Sequence, residues 1–115
     1  MFGGIIIRGE GVGRQLGYPT ANLDVDPKKI KLRDGVYAAR ATVRNQIYQA
    51  ALVIQRKKRK VEVYLLDWSG DNLYGLYLEV EPIQKVSEIE ARAGDELKEK
   101  IAHDIILVKE VFIDP

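Results

Sequence analysis

The stretch GVYAARATVRNQIYQAALVIQRKKRKVEVYLL, residues 35–66, decides the fold. Gly35 to Val43 is rich in valine and small apolar residues, with a tyrosine and a threonine, and reads as a strand. Val36, Ala38 and Val43 do not alternate strictly, which allows one bulge or burial on both faces. Arg44-Asn45-Gln46 is a short turn, and Ile47 to Ile54 returns as the next strand. Val61 to Leu66 follows as another. Outward from this block, Ile5 to Ile7 and Tyr74 to Val80 carry the same signals. The segment Asp67-Trp68-Ser69-Gly70-Asp71-Asn72 is dense in turn formers. Five short strands without an intervening helix cannot make a parallel sheet, because each parallel crossover needs a dozen or more residues. A small antiparallel barrel, closed or nearly closed, is the expected solution, since closure removes exposed sheet edges.

The apolar period lengthens after Ser87. Leu97, Ile101, Ile105 and Val108 lie three or four apart and draw one stripe on a helix. Ser87 with Glu90 has the form of a capping box, and Gly94-Asp95 has the form of a break with a fresh N-cap. The pattern predicts a short helix and then a longer one. The expected class is therefore all-β with one or two helices at the C-terminal end, in a single domain over residues 1–115.

Composition narrows the function. The 115 residues are 46% hydrophobic and 30% charged, an ordinary globular balance. The net charge of +1 gives no global pull toward nucleic acid, membrane or acidic substrates. There is no cysteine, which excludes disulfides, thiolate catalysis and zinc held through sulfur. No apolar run approaches the roughly 20 residues of a membrane helix, and Met1 to Arg8 has no basic segment before its apolar stretch. A cytoplasmic monomer with no membrane or nucleic-acid partner is the expectation.

The chemistry-bearing segment runs from Gly9 to Asn22. Four glycines, Gly9, Gly11, Gly13 and Gly17, fall within nine residues. Glycine allows close approach of backbone to ligand, and N–H groups in such a loop can cradle phosphate oxygens. Arg14 adds a charged fork, and Pro19 fixes the backbone before Thr20. Thr20 and Asn22 then offer oxygen donors suited to a hard cation such as magnesium. The bland reading is a strand connection and nothing more. The segment is neither a Walker loop nor a dinucleotide fingerprint, since Gly-Lys-Ser/Thr and a strand–turn–helix context are both missing.

Gly13-Arg14-x-Leu16-Gly17-x-Pro19-Thr20-Ala21-Asn22 resembles the signature of the riboflavin kinases of bacteria and eukaryotes. The likeness continues through Asp34-Gly35-Val36-Tyr37-Ala38, Val61 to Asp67, Asp71-Asn72-Leu73-Tyr74-Gly75, and Leu97, Ile101 and Asp104. It implies a Greek-key barrel that moves the γ-phosphate of ATP to the 5′-hydroxyl of riboflavin, giving FMN and ADP. It implies that Thr20 and Asn22 hold Mg2+ and the nucleotide phosphates. It places Gly11, Gly13, Arg14 and Gly17 in the phosphate loop and makes Glu62 the general base. Pattern alone instead favours the solvent face of a half-buried strand for Glu62. The module that precedes this domain in bacterial bifunctional enzymes is not in this sequence, so adenylylation to FAD is not expected of it.

Two stretches depart from the family pattern. Leu52 to Gln55 and then Arg56-Lys57-Lys58-Arg59-Lys60 stand where the family has Asn-Ile-Gly and Pro-Thr. Gln84 to Arg92 lacks the family's arginine and phenylalanine. The metal and nucleotide half therefore matches while the flavin half is altered. The alternative reading is a catalytically weakened module that binds flavin, nucleotide or a partner. The basic run reads first as a solvated hairpin end and second as a phosphate or nucleic-acid contact. His103, the sole histidine, reads as a surface residue. Asp67 reads as a turn residue, and Trp68 as a lid on the edge of the core.

Overall fold

In the computed structural model, residues 1–8, 20–68 and 72–113 are described. Among the described residues six strands close a barrel: β1 Phe2–Ile7, β2 Ala21–Asp24, β3 Gly35–Val43, β4 Gln46–Gln55, β5 Lys60–Leu65 and β6 Tyr77–Ser87. Their order around the barrel is β1-β2-β5-β4-β3-β6, with every pairing antiparallel. One helix, α1 Gly94–Val111, follows the last strand. No helix among the described residues is long and apolar enough to cross a membrane.

Register follows burial. The buried side chains of Val61, Val63 and Leu65 point into the barrel, so the alternating residues Glu62 and Tyr64 lie on its outer wall. Leu52, Ile54, Leu78 and Val80 fill the interior with them. Three alanines, Ala39, Ala41 and Ala50, leave room for these larger chains. Two more, Ala38 and Ala51, face each other across β3 and β4 on the outer wall. They form a shallow floor on which α1 lies, packed through Val108, Ile105, Val111 and Phe112. The apolar stripe expected on the helix is borne out: Leu97, Ile101 and Ile105 are half-buried and Val108 is fully buried.

The strand β3 matches its expected bounds and carries two register shifts against β6, at Val36/Tyr37 and Ala38/Ala39. Gly35 sits at φ +156°, and a Cβ there would meet the Ser87 carbonyl oxygen at 3.1 Å and Lys85 Cε at 2.5 Å. Arg44 and Asn45 both have positive φ, as a two-residue hairpin with the native twist demands.

Three expectations need correction. Ala21–Asp24 is a strand and not merely the polar end of a loop. It closes the barrel between β1 and β5, although Asn and Asp are poor strand formers. The last strand begins at Tyr77 and runs to Ser87, not from Tyr74 to Val80. Gly75 at φ +86° and the Asn72 side chain, which accepts from Tyr74 N–H, make the preceding residues a turn. No short helix forms after Ser87, because Ser87 is still paired with Val36 in the sheet. Its hydroxyl accepts from Lys100 Nζ at 2.6 Å, and Glu90 turns to Arg92. The helix then starts from Ala93, which supplies no side-chain cap.

Trp68 packs against the edge of the core and meets Tyr48 edge-on, with ring centroids 5.4 Å apart. Asp67, at φ +59°, holds a turn position, and His103 is exposed.

Candidate active site

The candidate residues fall on the outer wall where β2 and β5 pair. Asn22 stands directly opposite Glu62 in that register, and Val53 of β4 flanks Glu62 on its other side. Thr20 precedes β2, and its hydroxyl donates to Glu62 Oε2 at 3.2 Å across 42 residues of sequence. This bond is longer than the usual hydroxyl–carboxylate contact. All three side chains are half-buried. The inward neighbours Leu23 and Val63 are core residues, so the pleat fixes which way Asn22 and Glu62 face.

The site is bounded on the helix side by Tyr64, two residues along the same wall and packed among the residues under α1. By residue type alone Tyr64 does not stand out in the sequence. Its position two residues from Glu62 on one strand is the signal that could have placed it beside the site. Glycines Gly11, Gly13 and Gly17, with Arg14, lie outside the described residues, as does Asp71.

The donor set here is a hydroxyl, an amide and one carboxylate, all oxygen. Among the described residues, no group of three or more histidine, cysteine or acidic side chains could hold a metal by itself. Such a set suits a hard cation that takes most of its ligands from water and phosphate. The same carboxylate can accept a proton from a hydroxyl brought within hydrogen-bond reach.

A second polar cluster lies where α1 meets the end of β6. Lys100 Nζ contacts Asp104 Oδ2 at 2.5 Å and Glu90 Oε2 at 3.8 Å, besides the Ser87 hydroxyl. Asp104 is buried, and its Oδ1 has no hydrogen-bond partner among the described residues. Arg92, hydrogen-bonded to Glu90, holds the Glu90 carboxyl below the usual carboxylate range.

A family model described as riboflavin kinase matches residues 1–112. The chain is 34% identical over 119 residues to the bifunctional riboflavin kinase/FMN adenylyltransferase of Buchnera aphidicola subsp. Schizaphis graminum, covering 95% of this chain and 38% of that protein. It is 35% identical over 118 residues to the RNA-binding riboflavin kinase RibR of Bacillus subtilis, covering 95% of this chain and 50% of the relative. The chain thus spans half or less of the length of these curated relatives. The crystal structure of riboflavin kinase from Trypanosoma brucei superposes with a TM-score of 0.75 at 19% identity, over 99% of this chain and 77% of that one. At that identity the likeness speaks for the fold.

Proposed function

The chain belongs to the riboflavin kinase family, and from that premise we propose that it transfers the γ-phosphate of ATP to the 5′-hydroxyl of riboflavin, yielding FMN and ADP. The observation that carries this reading is the meeting of Thr20, Asn22 and Glu62, which are distant in sequence, on one patch of the barrel wall.

Phosphoryl transfer asks little covalent chemistry of a protein; it asks for positioning and charge neutralisation. Glu62 accepts the proton of the ribityl hydroxyl as its oxygen attacks phosphorus, and the bond to the ADP oxygen breaks. Before substrate arrives, the Thr20 hydroxyl occupies one oxygen of Glu62 and holds the carboxylate toward β2. Asn22 and Thr20 orient the phosphates, with Gly11, Gly13, Arg14 and Gly17 supplying the cradle. Thr20 and Asn22 would hold Mg2+, which neutralises phosphate charge when bound. Tyr64, with Val53 beside Glu62, gives the wall an apolar flank against which an aromatic ring system can lie.

The test is FMN formation from riboflavin and Mg-ATP, followed by chromatography. Wild-type turnover with a loss of about 10²-fold or more in Glu62→Gln is expected, the scale on which a general base acts. Turnover unchanged in Glu62→Gln would overturn the assignment of the base. Riboflavin or ATP binding by calorimetry with no FMN under any condition would instead favour a binding module.

A further inference from the structure

Five consecutive cations at positions 56–60 form one end of the barrel, and the structure separates them into two kinds. Arg56 is a clip. Its Nη1 meets Asp34 Oδ1 at 2.7 Å, and its Nη2 donates to the Ile30 carbonyl at 2.7 Å and also to the Leu32 carbonyl. Its backbone N–H donates to Asp34 Oδ2 at 3.1 Å. These bonds fasten the β2–β3 connection against the β4–β5 turn. That connection carries cations of its own, Lys28, Lys29 and Lys31, around a 3-10 turn capped by Asp26. The clip therefore brings two basic segments, separated by some 25 residues of sequence, to the same end of the molecule.

Lys28, Lys29, Lys31, Lys57, Lys58 and Arg59 are all exposed. Among the described residues, none of these six side chains has an ion-pair partner. Of the nearby acids, Asp34 is paired with Arg56, while Asp24 and Asp26 are exposed and offset only part of this charge. In a chain of net charge +1, this concentrates positive potential on one end, which the sequence balance alone concealed.

We propose that this basic end binds the phosphate backbone of nucleic acid without sequence preference. Charge without apolar surface selects the occupant. None of the exposed large hydrophobic residues belongs to either basic segment, so a lipid bilayer finds no insertion anchor here. A protein interface wants an apolar or aromatic centre and is depleted in lysine. Neither basic segment contains an aromatic residue, so no base-stacking platform accompanies the charges and binding rests on phosphate contacts.

The experiment is fluorescence anisotropy with a labelled 20-nucleotide RNA and a 20-base-pair DNA duplex, from 0.05 to 0.3 M salt. Six contacts give a slope of log K against log salt of about −4 for the single strand and about −5 for the duplex. Replacing Lys57, Lys58 and Arg59 by Gln, with Arg56 kept, should weaken binding at least tenfold at 0.1 M salt and reduce the single-strand slope by about 2. The Lys28→Gln/Lys29→Gln/Lys31→Gln variant should do the same, and Lys98→Gln/Lys109→Gln on α1 should change neither. FMN formation should be unaffected by any of these substitutions. Absence of binding at 0.05 M salt, or an unchanged slope in both basic variants, overturns the proposal. So does capture by vesicles containing 30% anionic lipid with no binding to either oligonucleotide.

Discussion

Replacing Arg56 by Met keeps much of the aliphatic stem and removes the whole guanidinium fork. Three contacts are lost at once: the pair with Asp34 and the bonds to the carbonyls of Ile30 and Leu32. The bond from the Arg56 backbone N–H to Asp34 survives. The Arg56 and Asp34 side chains are 34% and 40% exposed, so solvent screens their pair to roughly 0.5–1 kcal/mol. Each carbonyl bond contributes about 1 kcal/mol, because water can reach part of the site and replace the lost donor. The expected loss is therefore about 2–3 kcal/mol. For a domain of this size that lowers Tm by roughly 10 °C. Urea denaturation followed by far-ultraviolet dichroism measures it, and the midpoint should fall with the m-value unchanged. Arg56→Lys should recover only about 1 kcal/mol, since one ammonium cannot reach three acceptors in a plane as the fork does. A loss below about 0.5 kcal/mol in Arg56→Met, the range of ordinary surface substitutions, would refute the clip.

Other outcomes follow from the same geometry. Leu52→Ala empties part of the barrel interior and should cost about 2–5 kcal/mol by denaturant titration, without moving the α1 packing. Lys100→Met leaves the buried Asp104 carboxylate without its cation and should cost about 3 kcal/mol; adding Asp104→Leu to it should recover most of that loss, and a double variant as unstable as the single would count against the buried pair. Gly35→Ala should destabilise by about 1–2 kcal/mol in the same titration, because the new methyl group meets the Ser87 carbonyl and an unfavourable φ. Thr20→Val removes the donor to Glu62 and should reduce the rate of FMN formation by more than tenfold while leaving the unfolding midpoint within about 1 kcal/mol of wild type.

Periodicity made much of this architecture legible. The largely apolar run Val61 to Leu66 and the helical stripe ending at Val108 each reflect burial, so both survive into the structure. The strand Ala21–Asp24 was hidden because its inward residues are only a small Ala21 and Leu23, and its other two residues disfavour strands by themselves. It is a strand because β1 and β5 would otherwise leave open edges. Ser87 and Glu90 spelled a helix start by local chemistry, and the ladder to Val36 outweighed it.

By itself, then, the amino-acid order determined a barrel of antiparallel strands with a helical end, since hydrophobic spacing is a local property that folding merely cashes into faces. It also marked Thr20, Asn22 and Glu62 one by one through their resemblance to a known family. What only the tertiary structure decided was adjacency: Asn22 across from Glu62, Arg56 against the carbonyls of Ile30 and Leu32, and Lys100 against Asp104 in a buried corner. The first two depend on strand register and barrel closure, which are set by the sum of long-range burial. The third pair is one helical turn apart in sequence, but its setting comes from the end of β6, where the Ser87 hydroxyl accepts from Lys100.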